Sequence, residues 1–108
     1  MDQLRKLGEL IKKNSRVTFS IEGFTDSFGD QQTNLMLSQQ RADAVRMWLI
    51  QNMDIDPARI VARGFGKTKF LVPPQPYDAN SQPSIDAEIA RQQANRRVEI
   101  VFHFPQGD

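Results

Sequence analysis

Within the first 21 residues the spacing of apolar side chains switches from the period of a helix to that of a strand. Leu4, Leu7 and Ile11 recur at intervals of three and four, with Leu10 beside them and charged residues between. This pattern predicts an amphipathic helix over Asp2 to Asn14. Ser15 and Arg16 break it. Val17, Phe19 and Ile21 then alternate with Thr18, Ser20 and Glu22, as in a strand with one buried face. Gly23 should end that strand, and Phe24 to Gln32 reads as a polar loop containing Gly29 and Asp30.

The same reasoning carries to the C-terminus. A second helix is expected from Thr33 or Asn34, both suitable N-caps, to about Asn52. Asp54 to Pro57 is a turn, because proline disfavours helix in the residue before it. Ile60 to Arg63 reads as a short strand closed by Gly64-Phe65-Gly66. Lys67 to Pro83 is rich in Pro, Gln, Ser and Asn and reads as a long surface excursion. Ser84 is placed to cap a brief helix, with Asp86 and Glu88 in its first turn. Val98, Ile100, Phe102 and Phe104 alternate as the clearest strand of the chain. The order helix, strand, helix, strand, short helix, strand implies a sheet covered by helices. Three strands make a thin sheet, so a further strand ahead of Met1 is expected.

At 108 residues the chain is expected to be one domain, 1–108, with 67–94 as its extended excursion. Fourteen basic against thirteen acidic side chains leave a formal +1. That balance lacks the electrostatic footprint of a nucleic-acid or anionic-lipid binder. No apolar run approaches the roughly 20 residues needed to span a bilayer, and Met1 to Lys13 lacks the apolar core of a signal peptide. There is no cysteine and a single histidine, His103. Thiolate sites are excluded, and a histidine-based metal site or triad is disfavoured. Composition therefore points to binding, with no cofactor and no metal.

One residue breaks the pattern of the second helix. Leu37, Ala44, Val45, Trp48 and Leu49 form its apolar stripe, and at about 100° per residue Arg41 projects into the middle of it. A guanidinium there either snorkels to water or needs a carboxylate or a ligand. Asp26 lies in the loop between the first strand and this helix, where α/β architectures place ligands. The two could pair. They could also divide a zwitterion, Asp26 accepting from an ammonium while Arg41 offers its planar fork to a carboxylate.

Rival readings are weaker. Gly23 has no glycine-rich pattern around it to make a phosphate loop. Arg96 and Arg97 start a strand and project to opposite faces, so they form no single basic patch. Trp48 and the phenylalanines sit at core spacings. Asp26, Glu22 and Glu99 offer no spacing that would set two carboxylates on one cleft for glycan cleavage.

Ile21-Glu22-Gly23-Phe24-Thr25-Asp26-Ser27, then Asn34, Leu37-Ser38, Arg41-Ala42 and Val45, resemble the signature of the OmpA-like C-terminal domain family. Arg59-Ile60 through Gly64-Phe65-Gly66 and Asn95-Arg96-Arg97-Val98-Glu99-Ile100 look like its later motifs, in the same order. The resemblance implies an α+β fold, a βαβαβ-type sandwich with helices packed on a mixed sheet. It implies a non-catalytic periplasmic domain that holds peptidoglycan through the diaminopimelate of the stem peptide. Such a domain would anchor a larger protein of the outer or inner membrane of a Gram-negative-type bacterium. It carries the ligand role to Asp26 and Arg41, with Thr25, Asn34 and Arg96 or Arg97 lining the pocket. Phe24 stands where the family usually has His, and Gln92 where an Arg is common. The family's first strand has no counterpart here, as in a piece of a larger protein or an edge completed by another chain. A protein-interaction or homodimerisation role, as in flagellar stator relatives, is the alternative.

Overall fold

The computed structural model describes residues 2–105. Helix α1 (Asp2–Lys13) carries Asp2 in its first turn and Lys12 and Lys13 in its last, charges that complement the helix dipole. Its Ile11 is fully buried. Strand β1 (Thr18–Phe24) follows. It runs through Gly23 to Phe24 rather than ending at the glycine, because Gly23 is paired on both sides, with Gly64 and Val98.

Helix α2 (Gln31–Met53) is capped by Asp30, whose side chain accepts from the backbone N–H and the hydroxyl of Thr33, both at 2.8 Å. The helix therefore starts before Thr33: the capping acid lies in what reads as loop. A 3-10 turn (Pro57–Arg59) leads into β2 (Ile60–Gly66). Helix α3 (Gln82–Arg91) is capped by Ser81, not Ser84. Asp86 and Glu88 consequently lie beyond its first turn. A second 3-10 turn (Gln93–Asn95) precedes β3 (Arg97–His103).

The sheet is mixed, in the order β2-β1-β3, with β1 parallel to β2 and antiparallel to β3. Phe19 stands opposite Ile60 and Phe102, and Ile21 opposite Ala62 and Ile100. These residues share the helix-covered face, where Phe19, Ile21, Ile60, Ile11, Ala42 and Leu49 are buried. Phe102 meets Phe19 edge to face at 5.1 Å. Among the described residues nothing pairs with the far edge of β3, and Phe102 and Phe104 are exposed there beside Leu10. They line an apolar groove of about 200 Å³.

The approach of α2 to the sheet is set by two glycines in register. A Cβ on Gly23 would overlap the Ser38 carbonyl, and one on Gly64 would overlap the Gln39 backbone. Only hydrogen side chains let the backbones meet this closely. The contact is stitched by Gly64 N–H to Gln39 Oε1 (2.7 Å) and Gly66 N–H to Ser38 Oγ (2.9 Å). It fixes the first turns of α2 over the C-terminal end of β1.

Candidate functional site

The buried residues of α2 are Asn34, Ser38, Ala42 and Leu49, whereas Leu37 is exposed and so is Ala44. The packed face is thus turned about 60° from the stripe that apolar residues alone define. The cause is the glycine contact. Where backbones nearly touch, small polar residues fit and leucine does not. Arg41 accordingly lies on the flank of the packed face, exposed, and its predicted position at the centre of the stripe is corrected. Gln39 and Arg46 bond to the carbonyls of Ala62 and Ile60 on β2. Arg41 sits about 160° around the helix from Gln39, on the flank toward β3.

The loop between β1 and α2 is held at every residue from Thr25 to Gly29. Thr25 is buried; its N–H donates to the Gly66 carbonyl (2.9 Å) and its hydroxyl to the Asp26 carbonyl (3.0 Å). Asp26 Oδ1 accepts from the Phe28 N–H (3.0 Å) and Oδ2 from Arg96 Nη1 (2.6 Å). Asn34, nearly buried, donates to the Phe28 carbonyl (2.7 Å). Gly29, at φ 86°, takes the left-handed turn that glycine tolerates best, and Lys67 Nζ donates to its carbonyl.

Asp26 therefore pairs with Arg96, not Arg41. Its side chain is 13% exposed and that of Arg96 28%, so the pair sits at the rim rather than in the core. Among the described residues Arg41 makes no hydrogen bond or ion pair. Arg97 points the other way. Its guanidinium lies 4.2 Å from the centre of the Phe24 ring and bonds to Glu99, on the outer face of the sheet. Phe24 itself is buried and stacked on Phe65 at 5.5 Å, so this position serves packing. Glu22 and Glu99 stand opposite each other across β1 and β3, away from the loop that carries Asp26.

Sequence reasoning overlooks a second layer behind the loop. Gln92 is fully buried. Its Oε1 accepts from the Ser27 N–H (2.9 Å), and its Nε2 donates to Ser27 Oγ (2.8 Å) and to Glu88 Oε2 (2.9 Å). Glu88, 5% exposed, also receives Arg91 and the Gln75 N–H. Arg91 first, then that backbone donor, hold its carboxyl down to about 2 from an ordinary 4.5. Asn95 closes the layer by bonding both backbone groups of Val72. The only signal in the sequence is the spacing Glu88, Arg91, Gln92, Asn95, which on a short helix reads as a solvated face.

Solved domains of bacterial envelope proteins share this fold. The peptidoglycan-associated lipoprotein from Burkholderia pseudomallei superposes with a TM-score of 0.73 at 28% identity, over 93% of this chain and 74% of that one. The C-terminal domain of Helicobacter pylori MotB does so at 0.73 and 25%, over 96% and 71%. The chain belongs to the OmpA family, which it matches over residues 1–84. It is 36% identical over 93 residues to the probable lipoprotein YiaD of Escherichia coli, covering 86% of this chain and 36% of that protein. It is 40% identical over 82 residues to the photosystem I P700 chlorophyll a apoprotein A2 of Gloeobacter violaceus, covering 76% of this chain but 9% of that protein. The chain thus spans little more than a third of YiaD and less of the apoprotein. No helix among the described residues is long and apolar enough to cross a membrane.

Proposed function

We propose that this chain binds peptidoglycan non-covalently through the diaminopimelate of the stem peptide, and so ties a larger envelope protein to the wall from the periplasm. The observation that carries the reading is the contrast between two charges at one end of the sheet. Asp26 is held rigidly at the loop rim, while Arg41 presents an uncommitted guanidinium from the flank of α2 that faces β3. An ionised carboxylate has about four acceptor positions, and Asp26 uses two, leaving room for a ligand ammonium. Side chains on a helix lean toward its N-terminus, which carries the Arg41 head toward the loop. A free amino-acid end placed between them satisfies both.

The neighbouring residues then divide the work. Arg96 keeps Asp26 aimed, and of Arg96 and Arg97 only Arg96 is turned toward it. Asn34 and Thr25 hold the loop backbone. Binding is proposed without bond cleavage: the rim carboxylate is engaged by an arginine, not poised as an acid or base. Asp26→Ala and Arg41→Ala should each weaken sedimentation with diaminopimelate-type wall by roughly ten- to a hundredfold, the worth of one charge-assisted contact. Unchanged sedimentation of both variants would remove the assignment. Release of soluble fragments from purified wall would replace binding with hydrolysis.

The open edge of β3, with Phe102 and Phe104 exposed on it, favours self-association as a second reading, compatible with wall binding. A concentration-independent monomer in sedimentation equilibrium would dismiss it.

A further inference from the structure

Residues 67–81 contain no helix or strand, yet they are fastened at several points, once to the site loop and otherwise to α3 and the turn that follows it. Lys67 reaches Gly29, Asn95 brackets Val72, the Gln75 N–H donates to Glu88, and the Asp78 N–H donates to Ser84 Oγ. Pro73, Pro74 and Pro76 restrict the backbone between these anchors. Burying a carboxylate and two amides is costly unless every member is satisfied, a large investment for a loop with nothing to present.

What the segment presents is Tyr77. Its ring lies 5.3 Å from that of Phe28, tilted by 44°. Phe28 is the residue whose N–H fixes Asp26. Tyr77 is 44% exposed, and among the described residues its hydroxyl has no hydrogen-bond partner. An aromatic pair with an open face and a free hydroxyl, beside a charged clamp, has the chemistry of a sugar subsite: ring faces for apolar C–H groups, and one donor and acceptor for a hydroxyl.

We propose that Phe28 and Tyr77 receive the sugar ring of the glycan strand that bears the stem peptide, an inference that rests on the diaminopimelate reading of Asp26 and Arg41. The placement agrees: the Phe28 N–H bonds the Asp26 carboxylate itself, and the Tyr77 ring lies 5.3 Å from that of Phe28, so the aromatic pair adjoins the clamp.

The test is calorimetric titration of two ligands that differ only in the sugars: the L-Ala–D-Glu–diaminopimelate tripeptide, and the same peptide on its disaccharide. The wild-type chain should bind the disaccharide form about fivefold more tightly. Tyr77→Ala should erase that difference while leaving tripeptide affinity unchanged, and Tyr77→Phe should retain most of it. Equal wild-type affinities for the two ligands overturn the subsite alone. So does a Tyr77→Ala variant weakened equally toward both. A wild-type chain that binds neither ligand overturns the clamp reading and the subsite with it.

Discussion

Gln92 is fully buried behind the loop that carries Asp26, and its replacement should carry a measurable cost. Truncation to alanine removes two hydrogen bonds to Ser27, one to Glu88 and a longer one from Asn95, all from a side chain with no solvent exposure. At about 1 kcal/mol net for each of the three shorter bonds, the loss is about 3 kcal/mol, and the vacated space adds to it. Domains of this size are stable by only about 5–15 kcal/mol, so the effect is large. Urea denaturation of Gln92→Ala should show it as a lower midpoint at unchanged slope. Amide exchange adds a local signature: the Ser27 N–H loses its acceptor and should exchange much faster, while Ile21 in mid-strand slows or quickens only with global stability. A loss below about 1 kcal/mol, with the Ser27 amide still protected, would refute the view that this residue holds the loop.

Acid should act on the same layer. The carboxyl of Glu88 sits at about 2 rather than 4.5, so its contribution is complete above the ordinary value and is lost as pH falls toward the folded one. The melting temperature of the wild-type chain should drop across that window, and Glu88→Gln should remove that part of the drop; an identical acid limb in both would contradict the assignment. Gly23→Ala should destabilise by about 3 kcal/mol or more, because the new methyl meets backbone rather than a side chain that can swing away. Chemical denaturation reads the cost, and a neutral substitution would mean that α2 is not seated on the strand at Ser38.

Much of this fold is legible in the sequence because it rests on periodicity. The strict alternation from Val98 to Phe104 and the spacing of Leu4, Leu7 and Ile11 locate β3 and α1 without reference to any partner. Errors arise where tertiary contact overrides hydropathy. The true face of α2 runs through Asn34, Ser38 and Ala42, and the first two count as polar although their virtue here is smallness. Asp30 caps α2 from a stretch that reads as loop, since its role appears only once Thr33 folds back onto it. Of the candidate site, Arg41 and Asp26 stand out in the sequence, but the pairing of Asp26 with Arg96 depends on bringing together residues 70 positions apart. Tyr77 carries no local signal at all. Its position follows from anchors on α3 and the loop that no spacing rule contains.

The separation of Asp26 from Arg96 along the chain has a thermodynamic consequence. A site whose carboxylate is held by a residue 70 positions away exists only in the folded state, so a ligand that occupies it draws the equilibrium toward that state. At a ligand concentration a hundred times the dissociation constant the gain is about 2.7 kcal/mol, comparable to the whole contribution of Gln92. If the proposed binding holds, wall-bound copies would unfold, and be proteolysed, more slowly than copies adrift in the same compartment, and turnover would itself report which molecules are attached.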